Sequence, residues 1–380
     1  MRSRSTAKTT NAGGENKNAQ TVTGKEKKMA KGKPRRHTRS FLGTLLKVLK
    51  YFILFVFVFY LSFPFLLNIF PVVPRELTFL SKVRWPYFVD FNHPENYNVT
   101  GGRNIHIKST DDVTLGIWQI LPKSLLESSQ EKTSEYYEKA LSDGKHVILY
   151  FHGNSGNRAR DHRVELYNVL SGINYHIIAF DYRGYGDSNG TSNAVGILQD
   201  AEVMYKWLKP RIGKAKLYLY GHSLGTAVAT ALSRELCDAG ECPSGLILES
   251  PFTDLIDEAR NHPLSRFWKF WPGFDQMFLN AFLESAIPFN STENIDYVKC
   301  KILIMHAKDD LVVPFILGEK LAQHAGKNRP AGAGALKFLA FRADKGYGHK
   351  HLVRATELPK IISDFIENAR DEGQPANTKP

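Results

Sequence analysis

From Tyr51 to Pro74 the chain holds 24 residues without a charge, and Tyr51–Tyr60 is almost entirely Phe, Leu, Ile and Val. Such a run is apolar on every face of a helix, unlike the one-sided stripe of a helix packed on a soluble core. It is also long enough to cross the hydrocarbon of a bilayer. Residues 51–74 are therefore read as a transmembrane helix, which Pro64 can kink without preventing insertion. After residue 100 the pattern changes to short apolar runs of strand length between helical stretches. The expected strands are Asn104–Ser109, Val113–Ile120, His146–Phe151, His176–Asp181, Lys216–Tyr220, Gly245–Ser250, Lys301–His306 and Leu336–Phe341. Strands alternating with helices predict an α/β fold built on a mostly parallel sheet, here of eight strands. His146–Phe151 and Lys301–His306 are apolar nearly throughout, as suits central strands covered on both faces.

Two segments interrupt the alternation. Pro122–Lys145 is charged and reads as a surface helix. The stretch 251–299 reads as a helical lid: Phe267, Trp268, Phe270, Trp271, Phe274, Phe278 and Phe282 suit either packing on the sheet or covering a lipid site. The expected organisation is a disordered basic tail (1–50), the anchor (51–74), a juxtamembrane linker (75–100), the α/β domain (101–370) and a disordered tail (371–380).

Charge sharpens this picture. The net charge of +12 suggests a nucleic-acid partner until it is mapped: residues 1–50 hold 14 Lys/Arg and 2 Asp/Glu, and the other 330 residues hold 36 of each. A basic tail on a neutral globule points to anionic lipid headgroups or to sidedness, and no nucleic-acid partner is expected. Positive charge before the span places the N-terminus in the cytoplasm and everything after Arg75 in the lumen or outside. The fifty-residue leader and the Pro71-Val72-Val73-Pro74-Arg75 exit are unlike a cleaved signal peptide. On the expected luminal side Asn98-Val99-Thr100, Asn189-Gly190-Thr191 and Asn290-Ser291-Thr292 are glycan acceptor triplets. Three cysteines exclude a disulfide-framed scaffold. A Cys237–Cys242 bridge is conceivable, but free buried thiols are expected.

The chemistry centres on Gly221-His222-Ser223-Leu224-Gly225, between the strand Lys216–Tyr220 and a small-residue helical stretch, Thr226–Leu236. There a sharp turn lifts the serine hydroxyl above the sheet edge, and glycines are needed because side chains would clash. A serine nucleophile needs a base, and the base needs an acid to fix its tautomer. The acid belongs after a late strand, where Ala307-Lys308-Asp309-Asp310-Leu311-Val312-Val313-Pro314 offers two candidates. Asp310 is favoured by its spacing to Val-Pro, with Asp309 a solvated neighbour. The histidine belongs after the last strand, in Gly346-Tyr347-Gly348-His349-Lys350-His351; His349 is favoured over His351 because Gly348 suits a tight presenting loop. Phe151-His152-Gly153-Asn154 follows the third strand, so the main-chain N–H groups of Leu224 and Asn154 are the expected oxyanion donors. His152 and the Asp181-Tyr182-Arg183-Gly184-Tyr185-Gly186 turn read as structural. No metal-ligand spacing occurs, and no metal or cofactor is expected.

Together these motifs resemble the α/β-hydrolase superfamily. Leu248-Glu249-Ser250-Pro251-Phe252-Thr253 and Pro272-Gly273-Phe274-Asp275, outside the reacting motifs, narrow the resemblance to its lysophosphatidylserine lipases. The resemblance implies a single-pass endoplasmic-reticulum membrane protein with a luminal catalytic domain. It also implies hydrolysis of lysophosphatidylserine, and of monoacylglycerol and oxidised phosphatidylserine, through Ser223, Asp310 and His349. Leu311 stands where many relatives have proline, and Gly348 where arginine is found; neither removes a reacting group. The rival readings are a protein deacylase or general carboxylesterase, and a non-catalytic lipid-binding scaffold.

Overall fold

The computed structural model describes residues 36–126 and 132–368. The expectations for 1–35, 127–131 and 371–380 lie outside those residues.

Helix α1 runs Arg36–Ile69 with Pro64 inside it, and Phe41–Ile69 is long and apolar enough to cross a membrane. Its start corrects the expectation of a disordered tail up to residue 50: the apolar run reaches back through Phe41, Leu42, Leu45 and Leu46, and Lys47 and Lys50 do not break it. The chain divides into two units at Val58. Residues 41–58 are a helical rod of largely exposed side chains. In the second unit the end of α1 joins the folded domain. Leu67 is buried with Phe274, Phe278 and Phe282, while Trp268 stacks on Tyr60 and packs at a tilt against Phe63, with ring centroids 5.9 and 4.8 Å apart. Helix α2 (Val72–Phe79) follows at once. It shows that the stretch read as a juxtamembrane linker is part of the core, because Phe79 is buried and its carbonyl accepts from the Tyr185 hydroxyl and the Ser155 N–H.

The eight expected strands all form, with ends displaced by two residues at most: β1 Gly102–Lys108, β2 Thr114–Ile120, β3 Val147–Phe151, β4 His176–Phe180, β5 Leu217–His222, β6 Gly245–Glu249, β7 Lys301–Ala307 and β8 Leu336–Phe341. They make one sheet in the order β1-β2-β4-β3-β5-β6-β7-β8, antiparallel at β1-β2 and β2-β4 and parallel from there on. Two-residue periodicity divides the core. Val147, Leu149 and Phe151 of β3 face one apolar cluster, and Ile148 and Tyr150 face the other. Burial on both faces explains why these strands read as continuous apolar runs rather than alternating ones.

Among the described residues of 122–145 there are two short helices, Lys123–Leu126 and Ser134–Ala140. The lid is made of short turns rather than long helices: Leu255–Asn261, a 3₁₀ turn at Pro263–Phe267, a π turn at Asp275–Leu279, then Leu283–Ala286 and Ser291–Ile295. A further expectation, that of free thiols, is overturned. Cys237 and Cys242 are joined in a disulfide, because the chain reverses at Gly240 (φ +78°) after the helix Leu224–Asp238 and returns Cys242 to a Cα–Cα separation of 4.2 Å. Cys300 is the free cysteine, and burial pushes its thiol up to about 12.

Candidate active site

Strand β5 ends at His222, and Ser223 takes φ +53°, a region L-residues rarely occupy. The turn holds that conformation because its flanks admit no side chains. A Cβ on Gly221 would sit 2.4 Å from Gly225 O, and one on Gly225 would sit 2.0 Å from Phe151 O. The Ser223 N–H donates to Glu249 O at 3.0 Å, and the helix Leu224–Asp238 begins immediately afterwards. Sequence spacing thus becomes position: the serine stands at the C-terminal edge of β5, above the start of a helix.

Asp310 lies beyond β7, two strands away. Its Oδ1 accepts the N–H groups of Val312 and Val313, each at 2.9 Å, and its Oδ2 accepts His349 Nδ1–H at 2.8 Å. His306 Nε2–H is shared between Val313 O at 3.0 Å and Asp310 Oδ2 at 3.3 Å. Burial pushes the Asp310 carboxyl up, but the hydrogen bonds and charges of His306 and His349 outweigh it and hold it well below the usual carboxylate range. The ring of His349 is thereby fixed with Nδ1 protonated and Nε2 open. His222 closes the group: its Nε2–H donates to His349 O at 2.8 Å, with ring centroids 4.9 Å apart. Burial, then the His349 ring, keep the His222 imidazole neutral. The structure therefore brings the surroundings of Ser223, Asp310 and His349 together. Among the described residues no hydrogen bond joins Ser223 Oγ to the imidazole; such bonds often tighten only around a substrate.

Asp309 does more than face solvent: it is half-buried, and its Oδ2 accepts the Gly348 N–H at 2.9 Å, pinning the loop that presents His349. His351 takes no part in this constellation; its N–H donates to Tyr347 O. His152 is buried, with Nδ1 bonded to Gly153 O at 2.7 Å, and its imidazole is held well below its ordinary range by burial and by Arg163. Its structural reading fits these contacts. So does that of the Asp181–Gly186 turn, where Asp181 pairs with Arg158 at 2.6 Å and Arg183 with Asp200 at 2.8 Å.

The main-chain N–H groups of Leu224 and Asn154 are taken by no other protein group among the described residues. Both residues line one cavity of about 270 Å³ together with Ser223. The loop carrying Asn154 is clamped by a residue that no sequence motif marks. Buried Arg163 donates to Asn157 O at 2.8 Å, Gly153 O at 3.0 Å and Ser155 O at 2.8 Å. Most of the remaining wall is apolar and comes from the end of α1 (Phe63), from α2 and its exit (Leu77, Leu80), and from the lid (Trp268, Phe278, Phe282).

The fold and these residues have known counterparts. Residues 146–292 match the alpha/beta hydrolase fold family. Lysophosphatidylserine lipase ABHD12 of Danio rerio is 41% identical over 331 residues, covering 87% of each chain. Its Rattus norvegicus counterpart is 43% identical, covering 86% of this chain and 82% of the relative. This chain belongs to the ABHD12 family of α/β-hydrolases. An esterase of Pyrococcus furiosus, at 19% identity and a TM-score of 0.54 over 77% of this chain and 98% of its own, shares the fold. The chain is a serine hydrolase, as the family and the fold together establish.

The three glycan acceptor triplets of this family member differ in availability. Asn98 is exposed and its side chain makes no hydrogen bond among the described residues. Asn189 is exposed but its Oδ1 accepts the Thr114 N–H at 2.6 Å, and half-buried Asn290 caps the helix Ser291–Ile295 through Glu293 N–H at 3.1 Å.

Proposed function

We propose that this chain is a membrane-anchored lipase that hydrolyses the acyl ester of lysophospholipids, lysophosphatidylserine foremost, with monoacylglycerol and oxidised phosphatidylserine as further substrates. The observation that carries the reading is a strained serine in the wall of a mainly apolar cavity, with an Asp-fixed histidine hydrogen-bonded to its neighbour His222 and the end of the membrane-type helix in the same wall. The names of the relatives supply the headgroup.

In the proposed reaction the acyl chain lies in the cavity and the ester carbonyl meets Ser223. His349 Nε2 takes the hydroxyl proton as Oγ attacks, while Asp310 stabilises the imidazolium that forms. The oxyanion receives the N–H groups of Leu224 and Asn154. Collapse expels the glycerol oxygen, which takes the proton from His349 and leaves an acyl-serine. Water, deprotonated by His349, then releases the fatty acid. The 14 basic residues among residues 1–50 support a cytoplasmic N-terminus and a luminal catalytic domain in the endoplasmic reticulum. Asn98 is the acceptor best placed to carry a glycan there, so a mobility shift abolished by Asn98→Gln tests the topology.

The function is tested by offering the purified full-length protein 1-oleoyl lysophosphatidylserine in mixed micelles and measuring oleate release. Release by the wild type and none by Ser223→Ala is expected. Cleavage of p-nitrophenyl butyrate without oleate release would point to a general carboxylesterase instead.

A further inference from the structure

Two ionisable groups of the cavity wall beside Ser223 are left unused by the reaction above: His262, whose imidazole is held below its ordinary range by burial and the nearby His349, and Glu258. Glu258 lies on the lid helix Leu255–Asn261 and is part of the cavity wall. Other polar wall residues are satisfied by the main chain: the Thr78 hydroxyl donates to Pro74 O at 2.9 Å, Asn154 Nδ2 to Thr78 O at 3.3 Å and the Ser265 hydroxyl to His262 O at 2.7 Å. The Glu258 carboxyl makes no hydrogen bond or ion pair among the described residues, yet it keeps accessible surface. Burial, with the nearby Asp310 carboxylate adding to it, pushes this acid up to about 7. An unpaired carboxyl in a mainly apolar acyl site weakens the fold unless a ligand completes it.

Two lysolipid groups could complete it, an ammonium or a hydroxyl. An amino headgroup would bring its phosphodiester into the cavity as well, and no Lys or Arg lines that wall. The hydroxyl on the carbon next to the esterified one lies only a few bonds from the carbonyl that Ser223 attacks, and it carries no charge. It both donates and accepts, so it pairs with the carboxyl in either protonation state. Building on the lysophospholipid reading, we propose that Glu258 holds the free glycerol hydroxyl beside the scissile ester and so selects lysolipids over esters that lack it. Diacyl lipids, whose second oxygen is acylated, cannot donate that bond and leave the carboxyl unpaired, so oxidised phosphatidylserine is expected to be a slower substrate than the lysolipids.

The test compares kcat/KM of the full-length protein for 1-oleoyl lysophosphatidylserine and for its 2-deoxy analogue. The wild type should prefer the hydroxyl-bearing ester by roughly 10- to 100-fold. Glu258→Leu should bring the ratio near one, and Glu258→Gln, which keeps a donor and an acceptor, should restore most of it. A wild-type ratio near one overturns the proposal without needing any variant. Equal loss on both esters in Glu258→Leu overturns it in favour of a structural role. A loss confined to amino headgroups, absent with 1-oleoylglycerol, overturns it in favour of an ammonium site. In each of these cases the esters are still hydrolysed; no hydrolysis of any lysolipid by the wild type would instead remove the lipase reading on which the proposal rests.

Discussion

The two walls of the cavity are built on different principles. On the sheet side, Ser223, Asp310 and the loop after β3 are held by main-chain hydrogen bonds, two close-packed glycines and the buried Arg163 clamp. On the lid side the wall includes the rings of Trp268, Phe278 and Phe282 on short turns, and the neighbouring Phe267 and Phe270, outside the wall, are left 68% and 92% exposed. Directional bonds fix atoms to a fraction of an ångström, as bond-making requires. Ring packing fixes volume and polarity, which suffices to sort acyl chains. Chemistry is thus placed on the rigid half, and selection on the adaptable half.

Breaking the rigid half should have the largest effects. Asp310→Asn removes the acceptor that fixes the His349 tautomer, and kcat is expected to fall about 10⁴-fold, measured on p-nitrophenyl butyrate so that lipid binding is not at issue. Arg163→Met leaves the carbonyls of residues 153, 155 and 157 without their donor. Displacement of the Asn154 N–H should lower kcat by about 10²-fold, the scale of one lost oxyanion donor, with KM little changed. On the lid side, Trp268→Ala should act through chain length: the kcat/KM preference for oleoyl over butyryl esters should shrink by about 10-fold, as fits lost apolar contact.

The smallest effect concerns stability. Burial pushes the Glu249 carboxyl at the end of β6 up to about 7, above its ordinary 4.5, against the Tyr220 hydroxyl bonded to its Oε2 at 2.7 Å. The folded protein therefore binds a proton that the unfolded chain releases between those values, so this group's contribution is full below 4.5 and is lost as pH rises to about 7. Glu249→Gln should flatten that slope. Differential scanning fluorimetry should find the gap between the Tm values at pH 5.5 and pH 8 narrower in the variant; an unchanged gap would show that Glu249 is not the group responsible.

The same division explains what the sequence disclosed. Strand positions followed from apolar runs, and the serine turn, the acid loop and the histidine loop from glycines and polar residues at strand ends, because each is a local requirement. The contribution of α2 to the cavity was hidden because Val72–Pro74 close the apolar run of the preceding helix and Arg75–Phe79 give no local sign of turning onto the domain. Arg163 and His222 were hidden for another reason. Their partners are carbonyls of residues 153–157 and 349, and a main-chain acceptor leaves no mark in the sequence. The Cys237–Cys242 bridge depended on a reversal at Gly240 that composition does not specify.

The most direct test of the central claim is reaction of the full-length protein in detergent with a fluorophosphonate, followed by mass mapping of the adduct. A single adduct on Ser223, absent from Ser223→Ala and formed at least about 10²-fold more slowly in His349→Ala, is the expected result. An adduct on another serine, or equal labelling of Ser223→Ala, would contradict it.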